Sequence, residues 1–151
     1  GIGINERIAD DNIKLLTKEN KNDVYEFCNK LLKQGNFSSH VADDLQDYIE
    51  NINEKNYKAT KAYGYYKDEM LIGFVMLLHD SILHYSHLSV IGVLEEYRRN
   101  GIGTKLSKFV LSKYPNDKFH YQVAHLNKAS IGLVTSLVFK FAGARDLIIK
   151  G

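Results

Sequence analysis

The chain has 151 residues, of which 44% are hydrophobic and 25% are charged, a composition typical of one folded domain with a buried core. Its formal net charge of +2 is too small to indicate a nucleic-acid surface, and no apolar run approaches the roughly 20 residues of a membrane span, so we expect neither partner. The single cysteine, Cys28, excludes an internal disulfide and is typical of a reducing compartment, so we expect a cytoplasmic protein. We expect one domain over residues 1–151, with a flexible or cloning-derived N-terminus over residues 1–12.

The first half of the chain predicts a short strand, two amphipathic helices and a hairpin. The strand covers residues 13–16. Two helices follow, the first ending at Gln34-Gly35-Asn36 and the second capped by Ser38 or Ser39. Their apolar residues recur at helical spacing: Val24, Phe27, Cys28, Leu31 and Leu32, then Val41, Leu45, Tyr48, Ile49 and Ile52. Residues 58–66 and 70–79 then form a hairpin around a polar turn.

The second half predicts alternating strands and helices. A strand over about 83–93 leads through a glycine-bearing turn into a helix that ends at Tyr114-Pro115-Asn116-Asp117. A strand over 119–124, a helix from Asn127 or Ser130 to about Phe141, and a strand over 146–150 complete the order. This order predicts an α/β fold: one mixed, mostly antiparallel sheet with helices on both faces.

The turn Arg98-Arg99-Asn100-Gly101-Ile102-Gly103, followed by Thr104-Lys105, has the features of an anion site. Glycines let backbone N–H groups converge without an intervening Cβ, and the following helix start adds unpaired donors and a positive dipole end. Three cationic side chains add full charges. The chain contains neither the nucleotide P-loop pattern nor the third glycine of a dinucleotide fold, so a plain structural turn is the remaining alternative.

The stretch from Val93 to Leu106 resembles the acetyl-CoA site of the GNAT superfamily of N-acetyltransferases, whose R/Q-x-x-G-x-G/A signature corresponds to Arg98, Gly101 and Gly103. The resemblance implies acetyl-CoA as the acyl donor and a primary amine as the acceptor, joined in a ternary complex with direct attack. It also implies a set of cofactor-binding residues: Ile91, Val93, Arg98, Arg99, Asn100, Gly101, Ile102, Gly103, Thr104, Lys105, Asn127 and Ser130.

The strand before the turn carries the candidate catalytic residues. Strand alternation predicts one shared face for Tyr85, His87, Ser89, Ile91 and Val93, with a bulge at Gly92. By the resemblance, His87 stands where family members often place a general base, eleven positions before Arg98. A strand histidine without a catalytic role is the alternative. We expect no metal, because no histidine pair has helical spacing together with a carboxylate.

Two departures from the family pattern open other interpretations. The last helix lacks the family's thiolate-protonating tyrosine, so Tyr85 and Tyr121 are the fallback candidates for a general acid. Only about eight residues follow Gly143, which predicts a sheet one strand short, completed by a homodimer partner or another segment. Both departures fit a non-catalytic CoA- or acyl-CoA-binding regulatory domain as the alternative function. The mixed charges of the two early helices fit an amino sugar, a polyamine, an amino acid or a protein amine alike.

Overall fold

The structure, a computed structural model, describes residues 12–34, 38–54, 59–122 and 147–150. Six strands form one sheet in chain order: β1 Ile13–Leu15, β2 Thr60–Lys67, β3 Met70–Asp80, β4 Tyr85–Val93, β5 Lys118–Gln122 and β6 Leu147–Lys150. The pairs from β1 to β4 are antiparallel, and β4–β5 and β5–β6 are parallel. The helices are α1 Lys21–Leu32, α2 Ser38–Glu50 and α3 Ile102–Lys113. The predicted mixed α/β fold is confirmed.

Element ends differ from the prediction by one to two residues. The strand predicted from Leu83 begins at Tyr85, because residues 81–84 form a turn in which the Asp80 carboxylate accepts the N–H groups of Ile82 and Leu83. Two short 3₁₀ segments, at Lys18–Asn20 and Glu95–Tyr97, were not anticipated. The helix predicted from residue 127 to residue 141 lies outside the described residues.

The helices pack on opposite faces of the sheet. On one face, Phe27 of α1 meets Phe74 of β3 with ring centroids 5.6 Å apart. On the other, Phe109 of α3 contacts Tyr63 of β2 at 5.1 Å. The apolar stripes predicted for α1 and α2 are buried except for Leu32, which is exposed, and Ile52, which lies beyond α2 and is partly buried. Burial of apolar area stabilises this arrangement by about 25 cal/mol per Å².

Cys28 lies in the core, as its helical spacing predicted. Its thiol is buried and donates to the carbonyl oxygen of Ala42 at 3.6 Å. Burial, aided by the nearby carboxylate of Asp43, raises the pKa of the Cys28 thiol to about 12. A thiol that stays protonated at neutral pH is a packed core group and a poor nucleophile.

Strand β4 contains a β-bulge at Ser89. Val90 pairs with Met76, whereas Leu88 pairs with Leu77, so two steps along β4 correspond to one step along β3. A bulge of this kind places both of its residues toward the same side and resets the alternation of side chains beyond it.

The bulge separates the predicted site residues of β4 onto two faces. Ile91 and Val93 lie on the face covered by α3, where the Val93 side chain packs beside Gly73. Tyr85 and His87 lie on the opposite face, the one covered by α1 and α2. The predicted common face for Tyr85, His87, Ser89, Ile91 and Val93 is therefore wrong, because strict alternation holds only in a strand without a bulge.

Gly92 has a packing role rather than the bulge role predicted for it. A Cβ added there would lie 2.8 Å from the Phe74 ring and 2.8 Å from the Val41 side chain. Such distances are shorter than carbon atoms tolerate, so the close approach of α2 to β4 requires glycine at this position.

Candidate active site

The turn between β4 and α3 presents unpaired backbone donors. Gly101, the residue before α3, has a φ of +74°, which glycine adopts at little cost. The first bond of the helix runs from the Lys105 N–H to the Gly101 carbonyl at 2.9 Å. The N–H groups of Ile102, Gly103 and Thr104 precede that bond, so they have no carbonyl partner within the helix.

The space in front of this helix start is open. A Cβ added to Gly103 would meet no atom within 4 Å, and the same holds for Gly101. The preceding Arg99 has a φ of +71°, which is uncommon for a residue with a side chain. An open approach to convergent N–H groups, with backbone strain beside it, is typical of a site built for an anion.

The three cationic side chains of the turn differ in their hydrogen-bond partners. Arg98 donates from Nε to the carbonyl of Val93 at 3.1 Å and so braces the turn against the end of β4. Lys105 donates from Nζ to the hydroxyl of Tyr65 at 3.3 Å, and Arg99 is exposed. In the described part of the chain none of these three cations is paired with a carboxylate, so their charges remain available to an anionic ligand.

Among the described residues, the pairing of β4 with β5 stops before the turn. The parallel pairing with β5 runs from Tyr85 opposite Lys118 to Leu88 opposite Tyr121, whereas β4 continues to Val93. On the β5 side, Ser89–Val93 has no strand partner among the described residues. Backbone groups in such an edge are available to pair with an amide-bearing ligand.

On the α1–α2 side of the sheet, the two predicted catalytic residues lie together with a third ring. His87 pairs with His120 of β5 in parallel register, and their ring centroids are 6.4 Å apart. The Tyr85 ring meets the His120 ring edge-on at 4.5 Å. All three side chains are half-buried. Sequence analysis does not identify His120 as a neighbour of His87, because the register between β4 and β5 has no signal in a single sequence.

A second polar cluster lies on the α3 side of the sheet. Asp117 accepts two bonds at Oδ2, from Ser86 Oγ at 2.6 Å and from His79 Nδ1 at 2.8 Å. The His79 ring also stacks on Tyr114 at 3.9 Å. A serine nucleophile needs its proton taken by the histidine, whereas here the hydroxyl and the imidazole both donate to the carboxylate. This cluster therefore joins β3 and β4 to the connection between α3 and β5, and it does not form a nucleophilic triad.

The carboxylates nearest the turn lie at the surface, since Glu95 and Glu96 of the 3₁₀ segment before it are both exposed. Asn127 and Ser130 lie outside the described residues. Among the described residues, no group of three potential ligands is placed to hold a metal ion. The described helices also include none long and apolar enough to cross a membrane.

Comparison with solved structures shows which proteins share this fold. The ribosomal-protein-alanine N-acetyltransferase of Brucella melitensis biovar Abortus 2308 is 16% identical, with 89% of this chain and 93% of that chain covered and a TM-score of 0.57. The PaiA N-acetyltransferase of Thermoplasma acidophilum, in complex with coenzyme A, is 17% identical, with coverages of 82% and 86% and a TM-score of 0.59. The ribosomal-protein-S18-alanine N-acetyltransferase of Escherichia coli is 17% identical, with coverages of 83% and 74% and a TM-score of 0.60.

Sequence comparison identifies the family. No curated protein matches the chain. The family model described as "Acetyltransferase (GNAT) family" matches residues 25–137, a range that begins within α1 and includes α2, the strands from β2 to β5 and the turn before α3. The chain therefore belongs to the GNAT family of acetyltransferases.

Proposed function

We propose that this protein transfers an acetyl group from acetyl-CoA to a primary amine of a small molecule or a protein. The observation that carries the proposal is the open helix start at Gly101 and Gly103, placed directly after β4 in a chain of this family. The PaiA structure, which contains coenzyme A in the same fold, supports a CoA-type cosubstrate.

In this proposal the turn holds the pyrophosphate of the cofactor. The N–H groups of Ile102, Gly103 and Thr104 donate to the phosphate oxygens, and the positive end of the α3 dipole adds to the attraction. Arg99 and Lys105 contribute charge, as do the guanidinium N–H groups of Arg98 that do not bind Val93. Asn100 completes the turn, and Asn127 and Ser130 remain proposed cofactor contacts.

The pantetheine arm would pair with the edge of β4 at Ile91 and Val93, where no described strand pairs on the β5 side. An extended chain bearing amide groups can add to such an edge as a further strand does. This arrangement leads the thioester from the turn toward the bulge at Ser89, and thus toward the half of β4 that carries His87.

The proposed reaction is a direct acyl transfer in a ternary complex. The neutral amine nitrogen attacks the thioester carbonyl carbon, and the carbon–sulfur bond then breaks to release the thiolate of coenzyme A. His87 accepts the proton that the attacking nitrogen must lose, since an imidazole titrates near neutral pH. Tyr85 is the proposed donor of a proton to the thiolate. Because both residues lie on the α1–α2 side, the amine would approach from that side.

The proposal is tested by binding first and turnover second. Thermal shift with CoA, acetyl-CoA, longer acyl-CoAs and inorganic pyrophosphate is expected to show stabilisation by the CoA compounds at concentrations where pyrophosphate has no effect. Release of free thiol from acetyl-CoA is then followed with a panel of amines. Binding of CoA without turnover on any amine would favour the regulatory-domain alternative, and equal effects of CoA and pyrophosphate would favour an unrelated anion site.

Three further expectations are part of the same proposal. The chain acts as one domain over residues 1–151, and the protein is located in the cytoplasm and forms a homodimer. Light scattering over a concentration series tests the dimer.

A further inference from the structure

The ammonium group of Lys105 donates a hydrogen bond to a residue outside the glycine turn. Its Nζ donates to the Tyr65 hydroxyl at 3.3 Å and lies 5.6 Å from the centre of the Tyr65 ring. Tyr65 belongs to β2 and precedes Lys105 by 40 residues, so the contact exists only because the sheet brings β2 under α3. No sequence pattern of the turn includes this tyrosine.

Tyr65 is held firmly beneath the first turn of α3. It pairs with Gly73 of β3, and a Cβ added to Gly73 would lie 3.1 Å from the side chain of Ile102, the first residue of the helix. The Tyr65 side chain is 8% exposed. A ring buried in this way holds its hydroxyl in a fixed place, where it accepts the bond from Lys105.

A hydrogen bond to a phenol hydroxyl restricts the conformations of an exposed lysine side chain. A free lysine side chain loses rotamer entropy when it is immobilised by a ligand, which lowers the affinity for that ligand. The Tyr65 hydroxyl restricts Lys105 before any ligand arrives, and preorganisation of this kind raises affinity. A neutral hydroxyl does so without cancelling the charge, as a carboxylate partner would.

We infer that Tyr65 is a positioning residue for Lys105, so that the phosphate site of this protein includes a side chain from β2. The inference depends on the proposed function, because it assumes that the anion at the start of α3 belongs to the CoA cosubstrate. Tyr65 acts through Lys105: it holds the ammonium beside the helix start, where the phosphate oxygens are expected.

Three variants and one control test the inference by calorimetric titration of CoA into the protein. Tyr65→Phe retains the ring and removes one oxygen atom, so the core stays packed. We expect it to weaken CoA binding by about 3- to 10-fold, the effect of one hydrogen bond. Lys105→Ala is expected to weaken binding by about 10-fold or more and to reduce the dependence of affinity on salt. The control is Tyr63→Phe, on the same strand and face, whose hydroxyl bonds to Tyr114 away from the turn; its CoA affinity should match that of the parent.

The double variant distinguishes positioning from other roles. If Tyr65 acts only through Lys105, Tyr65→Phe causes no further loss in a Lys105→Ala background. An equal loss in both backgrounds would overturn the inference. Unchanged binding in Tyr65→Phe alone would also overturn it. So would tighter binding, which would mean that the tyrosine holds the ammonium away from the ligand. A parent protein that does not bind CoA would overturn the proposed function itself. Normal CoA binding that is lost in Gly103→Val but unaffected in Tyr65→Phe would overturn only the inference.

Discussion

Substitution of Gly103 is expected to change CoA affinity and the free energy of unfolding in opposite directions. Gly103 is the second residue of α3, and its φ lies outside the left-handed region. A Cβ added there meets no atom of the protein within 4 Å. Glycine within a helix is less stable than alanine by roughly 0.5–1 kcal/mol, so Gly103→Ala is expected to leave the free energy of unfolding unchanged or raise it by up to that amount.

The same Cβ has the opposite effect on binding, because it occupies the space that a phosphate needs. The loss of one or two charge-assisted hydrogen bonds, at about 1.5–3 kcal/mol each, weakens binding by about 10- to 100-fold or more. Gly103→Val carries a branched side chain and is expected to abolish CoA binding. Urea unfolding and calorimetric titration on the same samples measure the two effects.

Gly101→Ala is the matched control for backbone conformation. Its added Cβ also meets no atom within 4 Å, but the φ of +74° imposes strain on any residue with a side chain. We expect this variant to lose about 1–2 kcal/mol of stability, in contrast to Gly103→Ala. A Gly103→Val protein that is folded and binds CoA as tightly as the parent would refute the assignment of the phosphate to this helix start.

Three further predictions concern other parts of the molecule. His87→Ala should lower turnover by about 10²- to 10⁴-fold with little change in CoA affinity and should remove the acidic limb of the pH–rate profile; an unchanged limb would show that His87 is not the base. Asp117→Asn should lower the free energy of unfolding, measured in urea, by about 1–3 kcal/mol, because it disturbs the buried hydrogen bonds from Ser86 and His79. A CoA affinity that fell in the same variant would mean that this cluster also shapes the cofactor site. Burial raises the pKa of Tyr48 to about 12, above its unfolded value of about 10, so the stability that Tyr48 contributes is present below pH 10 and is lost as the pH rises toward 12. Unfolding measured over that range should show a smaller decline in Tyr48→Phe, and an equal decline would refute the assignment to this residue.

The sequence alone determined the features of this protein that depend on neighbouring residues. Helical spacing identified the buried faces of α1 and α2, and the hairpin from β2 to β3 was recognisable from two β-prone runs around a polar turn. The glycine turn before α3 was recognisable for the same reason, because an anion site at a helix start is built from consecutive backbone N–H groups. Family membership followed from that turn and its position after a strand.

Only the tertiary structure decided which distant side chains meet. The bulge at Ser89 arises from the pairing of β4 with β3, and it moved His87 to the face opposite Ile91. The contacts of His87 with His120 and of Lys105 with Tyr65 depend on strand register and on the seating of α3 over the sheet. A periodic pattern specifies which side of an element is buried, but the register between two strands is set by the summed packing of both faces and by bulges, which no single stretch of sequence encodes.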